Sequence, residues 1–154
     1  MNKTIDLILK LDTHNTSAAI INPQVSAASV GWHLSHSYLV INQISGAMVA
    51  SVPGDYERKF NLKRFIIFIT GKIPRGKAKA PKAVTPINID SNAIITLHTK
   101  ALDNLKLLKT LPKNSYFKHP YFGHLNVPQT AKFLALHTKH HLNIVTDILT
   151  KEQL

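Results

Sequence analysis

Apolar residues return every three or four positions in four stretches of this chain, and that spacing constrains the fold more than any other feature of the sequence. A period of about 3.6 lines one side of an α-helix, whereas a half-buried strand alternates at every second residue. Ile5, Leu7, Ile8, Leu9 and Leu11 predict a first helix from about Asn2 to His14, continuing through Ala18 to Ile21 before Asn22-Pro23 breaks it. Ser26 or Ser29 is placed to cap a second helix running to Ser51, with Trp32, His36, Leu39, Val40, Ile44, Ala47 and Met48 as its inward stripe. Asp90 or Ser91 caps a third, through Leu108, with Ile94, Ile95, His98, Ala101, Leu102, Leu105 and Leu108 inside. Asn126, followed by Pro128 in the first turn, opens a fourth that reaches Thr150 along Leu134, His137, His141, Ile144, Val145 and Ile148. With no strand ladder in evidence, the expectation is an all-α four-helix bundle, residues 1–154 forming one domain.

A long connection, Pro53 to Ile89, separates the second and third helices and concentrates charge. The chain carries 19 Lys and Arg against 8 Asp and Glu, a formal net charge of +11. Arg58, Lys59, Lys63, Arg64, Lys72, Arg75, Lys77, Lys79 and Lys82 fall in this connection, opposed only by Asp55 and Glu57. Such an excess attracts nucleic acid, an anionic membrane or acidic small molecules, although a solvated basic loop is its plainest explanation. Within the connection, Leu62 to Ile69 is expected to form a short helix, its β-branched content also suiting a buried extended run. Ile73 to Lys82, rich in Pro, Gly and Lys, reads as an extended mobile loop of the kind that serves as a lid or stays disordered.

With no cysteine the chain can form neither a disulfide nor a thiolate metal site, so any metal must be held by imidazole, carboxylate, carbonyl or water. No apolar run approaches the roughly 20 residues of a membrane-spanning helix, and Met1 to Asp6 lacks a signal-peptide core. A soluble, cytoplasmic protein with no membrane partner is expected.

Nine histidines make imidazole the candidate ligand. His137 and His141 lie four residues apart on the apolar stripe of the fourth helix, which projects both rings onto one inward face. The second helix offers His33 and His36 as a third donor; His36 continues the stripe through Val40 and Ile44, whereas His33 leads to the polar Ser37. Three converging neutral imidazoles would suit a divalent ion. The competing explanation is that all three are core histidines bonded to carbonyls or hydroxyls. The pair is no metalloprotease motif, because Thr138 stands where that motif needs glutamate.

Trp32 to His36, the run His119-Pro120-Tyr121-Phe122-Gly123-His124-Leu125 and His137-Thr138-Lys139-His140-His141 together resemble the DinB/YfiT-like superfamily, and more closely an uncharacterised branch with a His-Pro-x-Phe-Gly-x-Leu element before His-x-x-x-His. The resemblance spans about Ser26 to Leu149. It implies a four-helix bundle, commonly homodimeric, that binds a divalent ion, nickel or zinc, through His36, His137 and His141. It also implies a metal-dependent thiol transferase, or a related hydrolase or isomerase, working with a low-molecular-weight thiol. One departure stands out: a glutamine expected three residues beyond the last histidine is replaced by Ile144, and Asn143 points elsewhere by about 100°.

Three neutral imidazoles would leave an ion's charge uncompensated and a position open to a thiolate, hydroxide or carboxylate, so an anionic or thiol substrate is expected. His98 is a candidate fourth ligand, substrate contact or general base. His140 is expected at the margin of the site, His33, His119 and His124 outside the chemistry, and Tyr38, Tyr121 and Phe122 in packing. The alternatives from other classes are a basic nucleic-acid-binding bundle with structural histidines and a non-catalytic bundle stabilised by metal.

Overall fold

The computed structural model describes residues 1–76 and 79–151. In chain order the elements are helices α1 (Asn2–Asp12), α2 (Val30–Val49), α3 (Leu62–Thr70) and α4 (Ser91–Leu108), strands β1 (Tyr116–His119) and β2 (Gly123–Asn126), and helix α5 (Val127–Lys151). The protein is mostly helical. The four helices expected from apolar spacing are α1, α2, α4 and α5, and the short helix expected near Leu62 is α3. Lys77 and Ala78, assigned to a mobile loop by composition, lie outside the described residues.

Polar side chains set where the helices begin. Ser29, rather than Ser26, caps α2, its Oγ accepting from the Trp32 amide at 3.2 Å. Asn61 caps α3 through the Arg64 amide and Asp90 caps α4 through the Ala93 amide, each at 2.8 Å. At the start of α5, Asn126 Oδ1 accepts from the Gln129 amide while Gln129 Oε1 accepts from the Asn126 amide, a reciprocal pair that satisfies two otherwise orphaned donors.

α2 is the central element and packs against α1, α4 and α5, while α1 also lies on α4 and α5. Ile8 and Leu11 from α1, Leu34, Tyr38, Ile41 and Met48 from α2, Ile94, Leu105 and Leu108 from α4, and Leu134, Val145 and Ile148 from α5 form the apolar interior. The stripe assigned to α2 was too narrow. From Val30 to Tyr38 only Trp32 escapes full burial, whereas Ala47 faces solvent. Its N-terminal half buries nearly the whole circumference, while Gln43, Gly46, Ala47 and Val49 leave its C-terminal half with one exposed side.

Two expectations need correction. α1 stops at Asp12, and its expected continuation is a single 3₁₀ turn, Asn15–Ser17. The run Thr13-His14-Asn15-Thr16-Ser17 is poor in helix formers, and Thr13 Oγ1 bonds locally instead, donating to the Lys10 carbonyl at 2.7 Å. The chain also has a sheet. β1 and β2 pair antiparallel, with buried Phe117 and Leu125 directly opposite one another. Gly123 closes the turn at φ +71°, a left-handed conformation that glycine adopts without a Cβ penalty. The His-Pro-Tyr-Phe-Gly element is therefore a hairpin turn: His119 Nδ1 accepts from the Tyr121 and Phe122 amides at 3.1 and 3.3 Å, and its ring stacks on Phe122.

Candidate metal centre

α2 and α5 pack with His36 facing His137 and His141. One ring nitrogen from each of the three lies within 4.8 Å of the others. A point shared by three atoms so spaced is no more than about 2.8 Å from any of them, so small side-chain adjustments reach the 2.0–2.1 Å of an imidazole–zinc bond. The donor group is all imidazole, with no carboxylate in it.

Hydrogen bonds determine which nitrogens are available. His36 Nδ1 lies 2.7 Å from the Val84 carbonyl, which can only accept. Nδ1 therefore carries the proton, and Nε2 keeps its lone pair. His137 Nδ1 is buried and has no hydrogen-bond partner among the described residues. Leaving such an atom unpaired is costly, and a bound cation would satisfy it.

His141 is held through a second imidazole. Its Nδ1 lies 2.9 Å from His33 Nδ1, and His33 Nε2 lies 3.0 Å from Ser26 Oγ, which in turn accepts from the Ala28 amide. Only one of the two facing Nδ1 atoms can bear the proton. If His141 donates to His33, then His33 Nε2–H donates to Ser26, and His141 Nε2 is left bare to act as a ligand. The opposite arrangement protonates His141 Nε2 and removes it as a donor. The Ser26–His33–His141 chain thus couples a hydroxyl on the loop before α2 to the coordinating capacity of α5.

The environment keeps these rings neutral. Burial, reinforced by His36, His140 and Arg75, lowers the His33 pKa from 6.5 to about 4. Burial likewise lowers His36 against the opposing bond to Val84, and it holds His137 and His141 well below the ordinary histidine range, with neighbouring imidazoles adding to the effect. Protonation of one ring would place a cation beside the others in a water-poor space. Neutral imidazole is the form that binds metal.

The basic connection passes over this cluster. Val84 supplies the carbonyl on His36, and Arg75 pairs with Asp147 of α5 at 2.7 Å. Arg64 is an anchor, its guanidinium donating to the carbonyls of Lys59, Phe122 and His124. Trp32 stacks on the His36 ring at 4.7 Å with an interplanar angle of 11°.

The remaining candidates fall elsewhere. His98 stays outside the cluster, its Nδ1 3.7 Å from Asp12 Oδ1 and its ring 5.1 Å from Tyr38. His119 belongs to the hairpin turn, and His124 Nδ1 accepts from the Glu57 amide. Tyr38 and Phe122 pack as expected, whereas Tyr121 is exposed. Ile144 is buried in the apolar core and brings no polar group to the site. Sequence reasoning placed His33 outside the chemistry; its spacing of three from His36 was the available signal, since both then lie on adjoining sides of α2. Nothing in the sequence marked Ser26 or Val84 as their partners.

A family model described as a protein of unknown function, DUF1569, matches residues 12–148. No curated protein and no solved structure matches the chain.

Proposed function

The chain belongs to the DUF1569 family of proteins of unknown function, and from that premise we propose that it is a metal-binding protein in which His36, His137 and His141 hold one divalent ion, zinc or nickel, on a bundle of the DinB/YfiT-like type. The observation that carries this reading is the convergence of three imidazole nitrogens within 4.8 Å of one another, one of the rings having a buried nitrogen with no hydrogen-bond partner among the described residues.

An ion held there would act as a Lewis acid and make a bound thiol or water more acidic, which is the chemistry of a metal-dependent thiol transferase or related hydrolase. Cysteine being absent, the thiol would come from solution as a low-molecular-weight co-substrate. The protein's own residues would do the rest. His36 is fixed by Val84, His141 is oriented by His33, and the basic connection favours an acidic substrate. The homodimer implied by the superfamily resemblance is part of the same proposal.

Metal analysis of protein purified without an affinity tag tests the site. One ion per chain in the wild type, lost in both His36→Ala and His137→Ala, is the expected result. Wild-type protein that is metal-free and cannot be loaded with zinc or nickel contradicts it.

A further inference from the structure

α3 carries apolar residues on both its sides, only one of which is turned to the protein. At about 100° per residue, Leu62, Phe65, Ile66 and Ile69 share one side of the helix, with Arg64, Ile67 and Phe68 on the other. The side bearing Arg64, Ile67 and Phe68 is the one that meets the protein, through Arg64 to the hairpin carbonyls and Phe68 against Phe122 and Lys132. The other side faces out: Leu62 is 60% exposed, Phe65 51%, Ile66 49% and Ile69 68%, with Phe60 beside Phe65 at 77%. A contiguous apolar face is seldom left to water without a purpose.

Cations border it. Arg58 precedes the helix, Lys63 stands at the margin of the apolar face, and Lys72 follows the C-terminal Gly71; none of the three makes an ion pair among the described residues. Lys79 and Lys82, also exposed, follow on the same connection. Pairing this face with its copy in a second chain would bring like-charged rims together, each on a chain of net charge +11. The available area also falls short. A nine-residue helix is about 13 Å long and presents a face of a few hundred Å² at most, against about 800 Å² per partner in a typical stable interface.

We propose that α3 and its basic flanks form a docking surface for an anionic lipid membrane, the side chains of Phe60, Leu62, Phe65, Ile66 and Ile69 entering the interface while Arg58, Lys63 and Lys72 meet the headgroups. An apolar face a few side chains wide inside a cationic rim is the pattern of an interfacial helix. No described helix is long and apolar enough to cross a membrane, so the contact is with the surface.

Vesicle flotation of the full chain tests this, using phosphatidylcholine alone and phosphatidylcholine mixed with phosphatidylglycerol. Wild-type protein is expected to float with the anionic vesicles, to be released by salt and to ignore the neutral ones. Phe65→Ser with Ile69→Ser, and separately Lys63→Glu with Lys72→Glu, are expected to weaken binding by about tenfold or more, with unchanged circular dichroism because the altered side chains are exposed. His137→Ala should bind vesicles like the wild type, which separates this surface from the histidine site. No flotation with anionic vesicles at low salt overturns the proposal. So does undiminished binding by the Phe65/Ile69 variant, or a wild-type dimer that this variant splits, which would make the face a self-association surface.

Discussion

His33 illustrates how much of the site depends on a residue that need not touch a ligand. Its Nδ1 is the only hydrogen-bonding partner of His141 Nδ1 among the described residues, so its tautomer decides whether His141 offers Nε2 as a donor. His33→Ala is expected to retain one metal site while weakening zinc affinity by about 10–100-fold, the usual cost of losing the partner of a ligating histidine. His33→Gln, whose amide oxygen can accept from His141, is expected to recover part of that loss. An equilibrium zinc titration checks this, and unchanged affinity in His33→Ala would contradict the orienting role. Helical spacing marked His137 and His141 as sharing one face and His36 as lying on the stripe of α2, and the resemblance implied that the three converge. The sequence did not mark the His33–His141 bond, because residues 108 positions apart meet only through packing.

Among the elements, the helices were legible and the hairpin was not. Long amphipathic segments repeat their pattern over several turns, while β1 and β2 are four residues each and place one fully buried side chain apiece, Phe117 and Leu125. The usable signal was Gly123 after an aromatic run, a position at φ +71° with open space where a Cβ would sit. Since nothing obstructs that Cβ, Gly123→Ala should cost only its conformational penalty, roughly 1 kcal/mol in urea-induced unfolding. A neutral or stabilising effect would mean that the turn can relax. The hairpin matters to the site because Phe122 and His119 pack on Phe133, whose ring lies 5.6 Å from that of His137.

For the whole molecule, several histidines buried in the neutral form make stability depend on pH. Above about pH 6.5 both folded and unfolded chains keep them neutral, and they contribute no slope. Below it the unfolded chain takes up protons that His33, with its pKa lowered to about 4, and the still lower His137 and His141 refuse. The unfolded state then binds more protons, so stability falls with falling pH, by up to about 1.4 kcal/mol per pH unit for each such ring. For His33 the loss runs its course by about pH 4. The direction follows from burial, which the sequence suggested for His137 and His141 but not for His33. A divalent ion bound only by the folded protein adds to stability as the logarithm of its free concentration over Kd once the site is largely filled, and protons compete for the same nitrogens. Calorimetric melting with and without one equivalent of zinc, at pH 7.5 and pH 5, therefore tests the convergence of three neutral imidazoles most directly. A zinc-dependent rise in melting temperature at pH 7.5 that shrinks at pH 5 and is absent in His137→Ala is the expected result; identical melting with and without zinc at pH 7.5 would contradict it.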